Sequence, residues 1–281
     1  MSNLIETLKI IRPVNCVLAM IGVYVGADMT WLTPAYYAVG VSALATFLVC
    51  ASGNIINDIV DIEIDRINRP NRVLVKGTLS KRYLFVLAIV FDITAVAIAY
   101  TVNIGVTILA IIAIALLFVY NYHAKKIPVL GNIVIAFLAA LTFITGGVAI
   151  DYDLAFYLPG PIIAALFAFF FHMVREIVKD VQDLHGDKQV GVKTLPQVIG
   201  VQKSLLIALG LFFIMVLGTY IPIFEGWFGK WYKVITVYVV DLPLLAFLIF
   251  LWGNSSPRML KIGSILLKLG MGLGVIALWI R

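Results

Sequence analysis

The sequence predicts an all-α polytopic membrane protein with nine transmembrane helices. Of its 281 residues, 62% are hydrophobic and only 13% are charged, and the mean hydropathy is +1.05. Apolar runs of about 20 residues, the length that crosses a bilayer as a helix, recur along the whole chain. This composition excludes a soluble globular protein.

Nine apolar runs are predicted to be the membrane spans. They are Pro13–Thr30, Ala35–Ile56, Tyr83–Val102, Val106–Tyr120, Val129–Ile150, Ala155–Arg175, Leu205–Ile221, Val234–Trp252 and Ile262–Ile280. Each is long enough to span the hydrocarbon core or a large part of it. We expect them to form a single integral-membrane domain over residues 1–281.

Basic residues are distributed unevenly between the predicted loops. They crowd the N-terminus and the loops after the even-numbered spans, whereas the opposite loops contain few besides Lys230 and Lys233. The positive-inside bias therefore predicts a cytoplasmic N-terminus and an external C-terminus. The net charge of +6 then belongs to one membrane face, and no nucleic-acid partner is needed to explain it.

Two short stretches hold eight of the fifteen acidic residues, and both follow an even-numbered span. The first is "NDIVDIEID" (Asn57–Asp65) and the second lies within "REIVKDVQDLHGD" (Arg175–Asp187). The same i, i+3, i+7 spacing relates Asp58, Asp61 and Asp65 in the first and Asp180, Asp183 and Asp187 in the second. Carboxylates at membrane helices are costly, so a function is the first interpretation.

This spacing is chemically meaningful on a helix. At about 100° per residue, each set of carboxylates forms one stripe of oxygen ligands, and Asn57, Asp61 and Asp65 form a similar stripe. Oxygen ligands suit Mg²⁺, which keeps several waters and is usually completed by substrate phosphates. We therefore expect the negative charge of the first stretch to be cancelled by metal. For either stretch alone, an ordinary solvated helix end is the alternative.

Basic residues surround the acidic stretches. Arg66, Arg69, Arg72 and Lys76 follow the first, and "YNYHAKK" (Tyr120–Lys126) supplies Tyr122, Lys125 and Lys126. Guanidinium and ammonium groups stabilise the charge of a leaving diphosphate. The alternative is that they are positive-inside anchors. Arg66, Arg69 and Arg72 lie three apart and would share one face of a helix, but Pro70 predicts that they lie in a loop instead.

These residues resemble the motifs of the UbiA-type intramembrane prenyltransferases. "NDIVDIEID" resembles their NDxxDxxxD motif, "DVQDLHGD" their DxxDxxxD motif and "YHAKK" their YxxxK motif. The resemblance runs from "IRPVN" (Ile11–Asn15) to the last spans. Within the superfamily, the sequence is most similar to the archaeal digeranylgeranylglyceryl phosphate synthases.

The resemblance implies a helical bundle around a central cavity, with a cytoplasmic cap formed by the polar loops after the second and sixth spans. It implies Mg²⁺-dependent transfer of a geranylgeranyl group from geranylgeranyl diphosphate to the hydroxyl of geranylgeranylglyceryl phosphate, in the cytoplasmic membrane with the active site facing the cytoplasm. The implied metal ligands are Asn57, Asp61, Asp65, Asp180, Asp183 and Asp187, and the catalytic set adds Asp58, Tyr122 and Lys126. The implied substrate-binding residues are Arg12, Asn15, Arg66, Arg69, Arg72, Lys76, Lys125 and Arg175.

Two alternative functions remain at this point. One is a prenyltransferase with an aromatic acceptor such as 4-hydroxybenzoate. The other is a cation-coupled transporter, whose acidic residues are expected near the bilayer midplane on broken helices rather than at cytoplasmic helix ends.

Overall fold

The computed structural model describes residues 2–33, 35–189 and 193–281, and this part of the chain is helical without any strand. The side chains of Ser2, Asn3, Ile67 and Asn68 and of residues 185–189 lie outside the description. The predicted all-α membrane fold is confirmed.

The described residues form fourteen α-helices, one 3₁₀ turn and one π-helical segment. The α-helices are α1 (Ser2–Ile11), α2 (Pro13–Asp28), α3 (Tyr36–Val60), α4 (Ile62–Asn68), α5 (Lys81–Tyr100), α6 (Ile104–Tyr122), α7 (Leu130–Ile150), α8 (Tyr152–Phe156), α9 (Pro161–Gln189), α10 (Leu195–Ile199), α11 (Val201–Phe224), α12 (Lys230–Lys233), α13 (Leu242–Gly253) and α14 (Pro257–Trp279). The 3₁₀ turn is Ala124–Lys126 and the π-helical segment is Val234–Asp241.

Eight helices of the described chain are long and apolar enough to cross a membrane. The count becomes nine when Leu4–Ile11 and Pro13–Asp28 are taken as one span bent by 51°. The bend occurs at Arg12, whose φ is 56°, because Pro13 disfavours the right-handed helical conformation at the residue before it. The first predicted span, Pro13–Thr30, is therefore only the longer arm of this bent pair.

The chain divides into two compact units. The first comprises Met1–Ala124 and Leu141–Pro161. Its core includes Cys16 of α2, Ala51 and Ile55 of α3 and Leu84 of α5. Elsewhere in this unit, α2 approaches α7 so closely that a Cβ at Gly26 would lie 2.0 Å from the carbonyl oxygen of Phe143, so only glycine fits this position.

The second unit comprises Lys125–Ala140 and Ile162–Arg281. Its core is built from α9, α11, α13 and α14 and includes Ile177, Phe212, Leu251 and Leu267. The predicted span Val234–Trp252 does not form one regular α-helix, because its first eight residues are π-helical and α13 begins at Leu242.

Helical structure extends past the predicted membrane borders at both acidic stretches. The sixth predicted span ends at Arg175, but α9 continues to Gln189, and α4 follows α3 almost directly. The stretch Arg175–Gln189 contains no proline, and Lys179 pairs with Glu176 one turn earlier, which supports the helix. The polar segments predicted as loops after the second and sixth spans thus begin as helix.

Candidate active site

The first acidic stretch lies at the junction of α3 and α4. The regular helix is interrupted at Asp61, yet the backbone N–H of Asp61 donates to the Asn57 carbonyl at 2.9 Å, and that of Asp65 donates to the Asp61 carbonyl at 2.8 Å. These are the i to i−4 bonds of an α-helix. Asn57, Asp61 and Asp65 therefore follow one another on successive turns, as their spacing predicted.

The Asn57 side chain is oriented by two hydrogen bonds. Its Nδ2 donates to Asp61 Oδ2 at 3.1 Å and to Asn121 Oδ1 at 3.0 Å. Asn121, near the end of α6, is 1% exposed and donates its own Nδ2 to the Leu117 carbonyl at 2.9 Å. With its Nδ2 held in this way, Asn57 has Oδ1 as its remaining polar atom, and that oxygen can ligate a cation.

Two arginines neutralise much of the charge in this stretch. Arg12 Nη2 lies 2.5 Å and Arg72 Nη1 lies 2.8 Å from the same atom, Asp58 Oδ1. Arg72 Nη1 also lies 2.5 Å from Asp65 Oδ2. Asp58 and Asp65 are each 5% exposed, and an unpaired carboxylate would be costly at such burial. The expectation that metal alone cancels the charge is therefore corrected, because Arg12 and Arg72 pair with two of the three aspartates.

This pairing affects the candidate metal ligands. Asp65 directs one oxygen to Arg72, which leaves Oδ1 as its more available donor. Burial raises the pKa of Asp65 above its usual range, and the charge of Arg72 opposes that shift. Among the described residues, no three His, Cys, Asp or Glu side chains lie close enough together to enclose an ion. The donors of this stretch are carboxylate and amide oxygens, which fit a Mg²⁺ ion completed by phosphate oxygens.

The other basic residues near this stretch are solvent-exposed. Arg66 lies on α4, so the prediction of a loop is wrong for this residue, and it pairs with Glu63 at 2.9 Å. Helix α4 ends at Asn68, and Arg69 and Lys76 lie in the turns that follow, as Pro70 predicted. Among the described residues, Arg72 is the only one of the four whose side chain bonds to aspartates of the acidic stretch, namely Asp58 and Asp65.

The second acidic stretch lies on one uninterrupted helix. Asp180 and Asp183 are half-buried on α9, and the side chain of Asp187 lies outside the described residues. Asp180 Oδ2 accepts a hydrogen bond from Asn132 Nδ2 of α7 at 2.9 Å. Since the helix persists through Gln189, the i, i+3, i+7 spacing does place these three positions on one stripe.

The remaining predicted residues lie at helix ends or on helix surfaces. Tyr122 is the last residue of α6, is 37% exposed and has its ring 4.5 Å from that of Phe118. Lys125 is half-buried and Lys126 exposed in the 3₁₀ turn. Asn15 is exposed in the first turn of α2, and its backbone N–H donates to the Arg12 carbonyl.

Arg175 precedes the second stretch and pairs with its neighbour. Its guanidinium contacts Glu176, which is 6% exposed and also lies 3.3 Å from Lys179 Nζ. The guanidinium of Arg175, which was predicted to bind substrate, is therefore already engaged in part by Glu176.

Sequence reasoning missed two asparagines that support the acidic stretches. Asn121 holds Asn57, and Asn132 holds Asp180. Both are buried. Asn121 directly follows the predicted fourth span, and Asn132 lies near the start of the predicted fifth span. The available signal was an amide in an otherwise apolar helix, at Asn121 beside the YxxxK motif and at Asn132 after Gly131.

Comparisons with known proteins show the family to which this chain belongs. The sequence matches the profile described as the UbiA prenyltransferase family over residues 16–267. It is 35% identical over 279 residues to the digeranylgeranylglyceryl phosphate synthase of Pyrococcus furiosus, covering 96% of this chain and 94% of that protein. It is 34% identical to the protein of the same name from Halobacterium salinarum, covering 92% of each.

Solved structures are similar over nearly the whole chain. A structure concerning digeranylgeranylglyceryl phosphate synthase in membranes superposes with a TM-score of 0.80 at 31% identity, covering 99% of this chain and 98% of that chain. A UbiA homologue from Archaeoglobus fulgidus bound to DMAPP and Mg²⁺ superposes with a TM-score of 0.65 at 21% identity, covering 98% of this chain and 100% of that chain. At 21% identity, the similarity to the second structure shows a shared fold only.

Proposed function

Because this chain belongs to the UbiA prenyltransferase family, we propose that it transfers a geranylgeranyl group from geranylgeranyl diphosphate to the hydroxyl of geranylgeranylglyceryl phosphate. As a member of that family it is an intramembrane prenyltransferase. The observation that carries the choice of substrates is the similarity, at 34–35% identity over more than nine-tenths of the chain, to proteins named for the product of this reaction.

We propose that both acidic stretches serve one diphosphate. Their repeated spacing and their common predicted membrane side support this assignment. Asn57 Oδ1, Asp61 and Asp65 Oδ1 are the donors of the first stretch, and Asp180, Asp183 and Asp187 are those of the second. Mg²⁺ bound by these oxygens would neutralise charge on the diphosphate as it leaves. The Mg²⁺ and prenyl diphosphate in the homologous structure support this choice of ion.

The reaction breaks the allylic C–O bond to the diphosphate and forms a C–O bond to the acceptor, whose hydroxyl loses its proton. Positive side chains help because negative charge develops on the departing diphosphate. We assign Lys126, Lys125 and the Tyr122 hydroxyl, from the YxxxK motif at the end of α6 and in the turn that follows, as the groups that interact with it. Apolar helices exclude water, which would otherwise capture the allylic cation.

The proposed location is the cytoplasmic membrane with the site facing the cytoplasm. The clustering of Lys and Arg in loops after the even-numbered spans supports this orientation. At the cytoplasmic surface of the membrane, the site would accept the diphosphate group from water and both prenyl chains from the bilayer. Family membership favours this enzymatic function over the cation-coupled transporter.

The test compares two acceptors in parallel. Purified protein with Mg²⁺ and geranylgeranyl diphosphate is incubated with geranylgeranylglyceryl phosphate in one reaction and with 4-hydroxybenzoate in another, and lipid products are identified by mass spectrometry. We expect the doubly prenylated lipid phosphate only in the first. Prenylation of the aromatic acid alone would refute the lipid acceptor but keep the prenyltransferase, and no product from either acceptor would refute both substrate assignments.

A further inference from the structure

One carboxylate in the first unit joins two arginines from distant parts of the chain. Asp58 Oδ1 accepts from Arg12 Nη2 at 2.5 Å and from Arg72 Nη1 at 2.8 Å. Arg12 lies at the bend before α2, and Arg72 lies in the turns after α4. Since both nitrogens contact one oxygen, the two guanidinium groups are held within about 5 Å of each other.

The two positive charges would repel each other without this carboxylate. Asp58 is 5% exposed, so its negative charge is poorly screened by solvent and strongly attracts both guanidinium groups. The carboxylate therefore holds two cations in fixed positions.

Each of the two guanidinium groups retains unused donors. Among the described residues, Arg12 bonds only through Nη2 and Arg72 only through Nη1, and their side chains remain 31% and 17% exposed. The Nε–H and the second amino group of each are therefore left for an anion. Two adjacent guanidinium forks match the several oxygens of a phosphate monoester.

The other nearby cations are less suited to this task. The Arg66 side chain is 59% exposed and pairs with Glu63, while Arg69 and Lys76 are exposed. A long exposed side chain loses rotamer freedom when it binds, whereas Arg12 and Arg72 are already fixed by Asp58. Preorganisation therefore favours this pair over the surface residues.

We propose that Asp58 is a positioning residue that holds Arg12 and Arg72 as a paired site for the phosphate monoester of the acceptor, rather than a ligand of Mg²⁺. This inference rests on the proposed function, because it assumes a phosphorylated acceptor. If Asp65 is a ligand of Mg²⁺, one net positive charge remains on the group of Arg12, Asp58 and Arg72 and can bind that phosphate.

The test measures discrimination between phosphorylated and unphosphorylated acceptors. The values of kcat/KM are determined for geranylgeranylglyceryl phosphate and for geranylgeranylglycerol with wild type, Asp58→Asn, Arg12→Lys and Arg72→Lys. Arg82→Gln is the matched control, since Arg82 is an exposed cation in the first turn of α5 outside the site. The Mg²⁺ concentration for half-maximal rate is measured for every variant.

We expect Asp58→Asn and both lysine variants to reduce the preference for the phosphorylated acceptor by about 10-fold or more, mainly through its KM. The Mg²⁺ requirement should stay within about 2-fold of wild type, and Arg82→Gln should change neither quantity. A purely structural role would lower both acceptor rates together and leave their ratio intact.

Two results would overturn the inference. One is a raised Mg²⁺ requirement in Asp58→Asn without loss of phosphate preference, which would make Asp58 a metal ligand. The other is an unchanged preference in all three variants. If Asp58→Asn does not fold, the two lysine variants, which keep a positive charge beside Asp58, decide alone. Failure of the proposed function is distinct, because wild type itself would then not prenylate geranylgeranylglyceryl phosphate.

Discussion

Replacing Asn121 by leucine should weaken the activation of the enzyme by Mg²⁺, while the enzyme still uses the same two substrates. Leucine has a similar size and no polar atoms, so the substitution removes the acceptor that Asn57 Nδ2 contacts at 3.0 Å. The bond from Asn57 Nδ2 to Asp61 Oδ2 at 3.1 Å remains. Asn57 Oδ1 is then held in position by one hydrogen bond instead of two.

The magnitude follows from the value of one hydrogen bond. Losing a bond of this kind costs about 0.5–1.5 kcal/mol, which corresponds to a roughly 2- to 10-fold weaker affinity. Removal of a residue that orients a metal ligand costs about 10- to 100-fold in other metal sites, so the upper end of our range is expected. The carbonyl of Leu117 keeps its helical backbone partner, so the fold should tolerate the change.

The assay is the rate of product formation as a function of Mg²⁺ concentration, at saturating levels of both substrates. Asn121→Leu should raise the half-activating Mg²⁺ concentration and recover nearly wild-type kcat at high Mg²⁺. Thr107→Val, a substitution at a buried polar position elsewhere on α6, is the control for general damage to that helix. An unchanged Mg²⁺ requirement in Asn121→Leu, or a kcat that excess Mg²⁺ does not recover, would refute the reasoning that Asn57 is a ligand oriented by Asn121.

Three further outcomes are expected. Asp61→Ala and Asp183→Ala should each reduce turnover by at least about 100-fold in a folded protein, because each removes a proposed metal ligand; near-normal turnover in either would contradict its assignment. Gly26→Ala should lower the free energy of unfolding by about 1–3 kcal/mol, since the added Cβ would overlap the backbone of α7. An unchanged unfolding temperature would count against that close packing. Single cysteines at Ser80 and Tyr152 should be labelled from opposite membrane faces, and labelling from one face would exclude the predicted topology.

Features that depend on local periodicity were predictable from the sequence. The membrane spans follow from runs of apolar residues, because a helix in lipid must satisfy its backbone internally and expose apolar side chains. The stripe of Asp180, Asp183 and Asp187 follows from helical geometry, and α9 does continue through these positions. The motifs of the two acidic stretches were likewise sufficient to identify the prenyltransferase family.

The tertiary structure decided which of these charges are already paired. Arg12 and Asp58 are 46 residues apart, and Asn57 and Asn121 are 64 apart, so no local pattern relates them. The spacing alone does not distinguish Asp58, Asp61 and Asp65. In the structure, Asp58 and Asp65 form ion pairs with arginines, and Asp61 accepts a hydrogen bond from Asn57. A carboxylate acts according to the charges packed around it in a poorly screened environment, and those charges come from chain segments that only folding brings together.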